Sequence, residues 1–205
     1  MNGVEFAGEQ KRPSKLVCVG RNYVEHIEEL GNAVPEQMVL FVKPNSAITS
    51  ELRAFHGETL HFEAEIAFGI LEKEIRFVGF ALDLTKRELQ GRLKKNGLPW
   101  ERCKAFDGSA VLSRFVELAG RYDDLEVELL VNGQTRQQGG VDMMIHKPSA
   151  VLDEVAEFME LEDYDIILTG TPKGVGAVEK GATYEGIIRD RASGEEILRQ
   201  RWVAK

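Results

Sequence analysis

Along Leu60-His61-Phe62-Glu63-Ala64-Glu65-Ile66-Ala67-Phe68 apolar and acidic side chains alternate with the two-residue period of a β-strand. Phe62, Ala64, Ile66 and Phe68 face one way, Glu63 and Glu65 the other. The apolar run continues to Leu71, and Phe77 to Leu82 predicts a partner strand ending at Asp83. Upstream, Leu16 to Val19 predicts a strand that stops at Gly20, then a polar, helix-like Arg21 to Leu30. Met38 to Val42 predicts a further strand, with a turn at Lys43-Pro44-Asn45-Ser46.

Downstream, Thr85 is the expected N-cap of a helix through Lys94, with Glu88 completing a capping box and Arg87 and Gln90 sharing one face. Gly97-Leu98-Pro99-Trp100 ends that helix, and Lys104 to Ser109 reads as loop. Asn132-Gly133 between Glu126–Val131 and Gln134–Gln138 is a hairpin signal. Val151, Leu152, Val155, Phe158 and Met159 have helical spacing within Ser149 to Met159. Asp165 to Thr169 predicts a buried strand opening into Gly170-Thr171-Pro172-Lys173-Gly174-Val175-Gly176. Ala182–Arg189 and Glu196–Val203 close the chain around Ser193-Gly194. The pattern predicts one strand-rich α+β domain over residues 1–205, with few helices, no repeat and no linker.

Composition narrows the partners. A net charge of -8 disfavours nucleic acid, which needs a basic face. No apolar stretch reaches the length of a membrane span, and the first fifteen residues lack the apolar run of a secretory signal. A cytoplasmic protein with Cys18 and Cys103 as free thiols is the expectation, although spacing alone leaves a bond between them open.

Two readings of Glu63 and Glu65 compete. They wet the charged face of an ordinary half-buried strand, or they converge with Asp83. Convergence would give three hard oxygen ligands and no thiolate, a set that suits Mg²⁺ or Mn²⁺, and Ca²⁺ less specifically. The glycine-rich turn lacks the Gly-Lys-Ser/Thr ending of a P-loop, so it is either a turn needing positive φ or a carboxylate-binding loop built on backbone N–H groups and Thr171. His26 and Glu29 stand three apart on a helical turn. They form a solvated surface pair or, if that turn closes over a metal, a dyad able to deprotonate water. With no Gly-x-Ser-x-Gly elbow, and no histidine partner for Cys103, covalent nucleophilic catalysis is disfavoured.

Taken in order, Gly20-Arg21-Asn22-Tyr23, His26 with Glu29, Phe41-Val42-Lys43-Pro44, His61-Phe62-Glu63-Ala64-Glu65, Asp83 to Gln90, Lys104-Ala105-Phe106-Asp107 and Gly170 to Gly176 resemble the fumarylacetoacetate hydrolase family. The resemblance runs from about Lys15 to the last strands and is closest to the compact branch of acylpyruvate hydrolases, fumarylpyruvate hydrolases and oxaloacetate decarboxylases. It implies a mixed β-sheet roll, a homodimer, and a divalent metal, Mg²⁺ or Mn²⁺, on Glu63, Glu65 and Asp83. It also implies a lid over about residues 20–37 carrying the His26–Glu29 dyad, and a pocket lined by Arg21, Lys43, Arg87, Gln90, Lys104 and Thr171, with Lys104 beside the reacting group. The activity it implies is hydrolysis of a carbon–carbon bond in a 2,4-dioxo acid by a metal-bound water. The alternatives are decarboxylation of oxaloacetate or tautomerisation of a 2-oxo acid through the same enolate and, more distantly, noncatalytic dicarboxylate binding.

Overall fold

A computed structural model of the chain describes residues 1–29, 31, 35–118 and 121–205. Leu30 and residues 32–34, which fall within the expected lid, lie outside the described residues. The largest sheet is mixed. Its strands run in the order Val39–Pro44, Lys15–Gly20, Ile166–Leu168, Ala64–Leu71, Glu74–Asp83, Ala110–Leu112 and Ile48–Thr49, and Val116–Glu117 pairs separately with Glu74–Asp83. Ile166–Leu168 lies parallel to Lys15–Gly20, and Ala110–Leu112 to Ile48–Thr49; the other neighbours are antiparallel.

A four-stranded antiparallel sheet, in the order Gln134–Gly140, Leu125–Val131, Thr183–Asp190 and Glu196–Val203, packs against one face of the mixed sheet. Ile66, Phe68, Phe80 and Leu82 from the mixed sheet share a core there with Val127, Leu129, Tyr184 and Ile188. The sheets approach closely at Gly186, where a Cβ would lie 2.5 Å from the Phe80 ring. The hairpin turn between the first two strands of this sheet has Asn132 at φ 51° and Gly133 at φ 78°, the left-handed pair that a two-residue primed turn requires.

The opposite face of the mixed sheet carries a second core built from Leu16, Cys18, Ala67, Phe77, Ala81, Ile166 and Leu168. The hairpin Val4–Phe6 with Glu9–Lys11 delivers Phe6 to it, stacked on Phe115 at 4.6 Å and edge-on to Phe77 and Tyr164 at 5.3 and 5.4 Å. Strand alternation puts Glu65 on the side of Ala67 and Asp83 on the side of Ala81. The acids therefore stand where this second apolar face runs out. Every position from Ala64 to Ile70 is buried. The run is accordingly nearly continuous in apolar residues, as a strand covered on both faces demands.

The expected helices form with altered ends: Val24–Glu29, Arg87–Lys95 and Pro148–Ala156. Thr85 is not an N-cap. It pairs in a short strand, Thr85–Lys86, and its hydroxyl accepts from Lys104, while a carboxylate oxygen of Glu58 receives the Glu88 and Leu89 N–H groups at 3.0 and 3.3 Å. Lys104 is likewise not in a loop but ends a one-turn helix, Glu101–Lys104. Lys43 and Pro44 complete a strand instead of turning. Cys18 and Cys103 are both buried free thiols. Among the described residues no helix is long and apolar enough to cross a membrane.

Candidate active site

Glu63 occupies the break between the strands Leu60–Phe62 and Ala64–Leu71, where its carbonyl accepts the Asp83 N–H at 2.8 Å. That bond brings the end of Glu74–Asp83 against the break. Glu63, Glu65 and Asp83 consequently each offer a carboxylate oxygen within 4.8 Å of the others, at 6%, 2% and 1% exposure. They do not wet a surface.

Such a cluster is held together by cations. The Lys104 ammonium donates to Asp83 Oδ2 at 2.5 Å, Glu63 Oε2 at 2.7 Å and Thr85 Oγ1 at 2.7 Å. Arg87 pairs with Glu63 Oε1 and, through Nη1, donates to Gln90 Oε1 at 2.7 Å, so the shared helical face of Arg87 and Gln90 turns inward. Burial by itself would push the Glu63 carboxyl up, but Lys104, Arg87 and His26 outweigh it and hold the group well below the usual carboxylate range. Burial pushes Glu65 up instead, and the neighbouring Asp83 and Glu63 add to the rise. For Lys104, Asp83 and Glu63 overcome the effect of burial and hold the ammonium form firmly.

Lys43 does not reach the cavity. Fully buried behind Asp83, it donates to the Lys104 carbonyl and to Ser109 O and Oγ at 3.1 and 3.0 Å. Its ammonium lies 2.8 Å from Asp83 Oδ1 but off the hydrogen-bonding direction, which leaves that oxygen buried without a donor. Three converging carboxylates with no thiolate among them, and a Glu65 disfavoured as an anion by burial and by its acidic neighbours, together fit a divalent cation.

The helix Val24–Glu29 lies over this cluster, with His26 lining the cavity at 6% exposure. Its root is Arg21, held at φ 59°, a sparsely populated conformation for a residue with a side chain. Asn22 enforces it: the buried amide donates to the carbonyls of His146 and Thr169 at 2.9 and 2.8 Å and accepts the His146 N–H at 2.7 Å. The other end of the helix is tied by Glu29, whose carboxylate accepts the Gly174 N–H at 3.0 and 3.2 Å and stands 3.4 Å from His26 Nδ1. Burial lowers the His26 pKa below its ordinary 6.5, with Glu63 and Glu29 opposing only in part. Burial thus favours the neutral imidazole, and a tautomer with its proton on Nδ1, toward Glu29, would leave the other nitrogen as a base.

Residues 15–197 match the family model described as Fumarylacetoacetate (FAA) hydrolase C-terminal. The chain belongs to the fumarylacetoacetate hydrolase family. Within it, the chain is 42% identical over 196 residues to the oxaloacetate tautomerase YcgM of Escherichia coli (strain K12), covering 84% of this chain and 89% of that protein. It is 38% identical over 196 residues to the mitochondrial oxaloacetate tautomerase FAHD1 of Homo sapiens, covering 87% and 88%. The fumarylpyruvate hydrolase from Pseudomonas aeruginosa, solved in complex with Mn²⁺ and pyruvate, superposes with a TM-score of 0.86 at 29% identity, over 100% of this chain and 96% of that one. The strand-rich α+β fold expected from the sequence is that of its fumarylacetoacetate hydrolase relatives.

Three residues of this family member escaped sequence reasoning. Gln137, 1% exposed, reaches across from the four-stranded sheet. Its Oε1 accepts the N–H of Ala64, between the two glutamates, at 2.9 Å, and its Nε2 donates to Thr171 Oγ1 and Pro172 O, both at 2.7 Å. Thr171 in turn donates to the Ala64 carbonyl at 2.9 Å, and the Gly170 N–H donates to Glu65 Oε2 at 2.7 Å. The glycine-rich turn thus clasps the acidic strand, with Thr171 on the cavity wall. Asn22, part of the Gly20–Tyr23 run but assigned no role from it, is the second such residue and Lys94, which also lines the cavity, the third. A polar residue within a hairpin strand and a lysine on a charged helix carry no local signal of where they point. A wider concavity elsewhere, near Asn2, Arg53, Asp107 and Trp202, gathers no acidic cluster among the described residues.

Proposed function

We propose that this protein is a divalent-metal-dependent enzyme that interconverts the keto and enol forms of a small 2-oxo dicarboxylate, oxaloacetate. The observation that carries the reading is the buried His26 facing the Glu63–Glu65–Asp83 cluster from a helix tied down by Glu29. Glu63, Glu65 and Asp83 are the residues that would hold Mg²⁺ or Mn²⁺, and the ion would supply Lewis-acid polarisation of the bound 2-oxo acid.

The chain's own groups suit a proton transfer. His26, oriented by Glu29, removes a proton from C3 of the keto form. The electrons of that C–H bond form the C2–C3 double bond, and the C2 oxygen takes up the proton given back by the His26 imidazolium, which returns to its neutral form as the enol is made. Atoms and charge balance without water as a reactant. Arg21, Arg87 and Lys104 offset the charge of substrate carboxylates and of the oxygen that gains electrons. Gln90 fixes the Arg87 guanidinium, and Thr171 offers a hydroxyl to the substrate.

The names of the E. coli and human relatives favour tautomerisation over the carbon–carbon hydrolysis expected from the sequence. Hydrolysis of an acylpyruvate is the second reading, favoured by the likeness to fumarylpyruvate hydrolase. The experiment is an ultraviolet assay of enol-oxaloacetate decay with Mn²⁺-loaded protein, run beside fumarylpyruvate. Tautomerisation predicts accelerated decay that falls about a hundred- to ten-thousand-fold in His26→Ala, with Mn²⁺ binding retained. Glu63→Ala loses both. Decay at the buffer rate, together with release of fumarate and pyruvate from fumarylpyruvate, would replace this reading by hydrolysis.

A further inference from the structure

Arg87, Gln90 and Lys94 stand at i, i+3 and i+7 on the helix Arg87–Lys95, and all three line the cavity. Arg87 and Gln90 are engaged with Glu63 and with each other. Lys94 is not. Among the described residues it makes no ion pair, and its ammonium stands 5.1 Å from the centre of the Trp100 ring, which shares the cavity wall. A half-buried ammonium with an aromatic face on one side and no anion is short of a partner.

Its surroundings show the same shortage. Arg21 lines the cavity too, with Nε buried and no acceptor. Burial, reinforced by Arg21 and Arg87, lowers the Lys94 ammonium to a pKa of about 8. Unmatched positive groups therefore gather at this end, whereas the Lys104 ammonium has its three acceptors. Lys94 is rooted about two turns beyond the arginine that holds Glu63, and its ammonium stands beside Trp100 on the wall of the same cavity.

We propose that Lys94, with Arg21 of the same cavity wall, seats the distal carboxylate of a four-carbon 2-oxo dicarboxylate and selects it over a monocarboxylate. This rests on the reading of the site as one for 2-oxo acids, whose oxo-acid end lies over Glu63, Glu65 and Asp83. Lys94 is a specificity residue and stands apart from the proton transfer.

The test compares two unreactive probes, malate and lactate, which share a 2-hydroxy acid end and differ in the distal carboxylate. Each is titrated calorimetrically into Mn²⁺-loaded parent, Lys94→Met and Lys94→Arg proteins, with melting curves to show that the variants fold. The parent is expected to prefer malate. Lys94→Met should weaken malate about 10- to 100-fold, the loss of a charge-assisted contact, and leave lactate unchanged, while Lys94→Arg restores most of the preference. Equal weakening of both probes, no change in either, or a parent that binds malate no better than lactate would each overturn the assignment. The enol-oxaloacetate assay on the same samples separates the two levels. Malate selectivity lost in Lys94→Met with no enol turnover by the parent would sink the tautomerase reading and keep the seat; turnover with unaltered selectivity would do the reverse.

Discussion

Asp165 shows how much a single carboxylate can organise away from the cavity. Fully buried, it accepts the N–H groups of Ser14, Lys15 and Glu162 at 2.8, 3.0 and 3.0 Å and pairs with the Lys15 ammonium at 2.6 Å. It thereby joins the starts of two parallel strands. Burial would raise its pKa, but Lys15 and the backbone donors outweigh burial and hold it below the ordinary carboxylate value. The sign follows: the unfolded chain takes up this proton at a higher pH than the folded one does. The stabilisation is thus complete above the unfolded value, about pH 4, and is lost as pH falls through the folded value. Asp165→Asn should cost about 3 kcal/mol at pH 7, and the gap in melting temperature between variant and parent should narrow toward pH 3. A gap of constant size would show that the hydrogen-bond geometry, not the charge, carries the effect. Asp165 was legible as the start of a buried strand; its partners Ser14 and Lys15, about 150 residues upstream, were not. Thr85 failed for the same reason, since a local capping box could not reveal that Lys104 would claim the hydroxyl.

At the scale of elements, the cavity depends on a loop that only glycine can build. Gly174 adopts φ 99°, and a Cβ there would fall 1.9 Å from the Arg136 carbonyl oxygen, in the strand that also carries Gln137. Its N–H is what holds Glu29, and so the end of the helix Val24–Glu29, in place. Gly174→Ala must push loop and strand apart and should lower kcat at least about tenfold, by releasing that helix. Mn²⁺ affinity should fall less than kcat does, because the pairing of Ala64–Leu71 with Glu74–Asp83 and the Asp83 N–H bond to the Glu63 carbonyl place the acids, although the displaced loop and strand also carry Thr171 and Gln137. Turnover equal to that of the parent would mean that Glu29 does not need this anchor. The turn's demand for positive φ was readable from its glycines. Its service to Glu29 was not, because residue spacing within the loop says nothing about a helix some 145 positions away.

Across the whole molecule, the mixed sheet works as a partition with an apolar core on each face, and the acids occupy the end of one of them. Alternation made the two faces of the Glu63–Glu65 strand legible, but not the coverage of both. That coverage needs a second sheet from the C-terminal half and an N-terminal hairpin, neither visible within the strand itself. The arrangement separates stability from chemistry. Phe6 sits at 2% exposure among Phe77, Phe115 and Tyr164, and the space above Gly69 exists to admit its ring, since a Cβ there would lie 2.5 Å from it. Phe6→Ala should therefore destabilise the fold by about 3–5 kcal/mol. For a chain of this size that lowers Tm by roughly 6–20 °C. The carboxylates remain in register because Ala64–Leu71 and Glu74–Asp83 are paired along their length and Gln137 and Thr171 clasp them from the other side. Mn²⁺ affinity measured well below the lowered Tm should accordingly match that of the parent. A fall in affinity parallel to the fall in Tm would show instead that the second core presses the acidic cluster into shape.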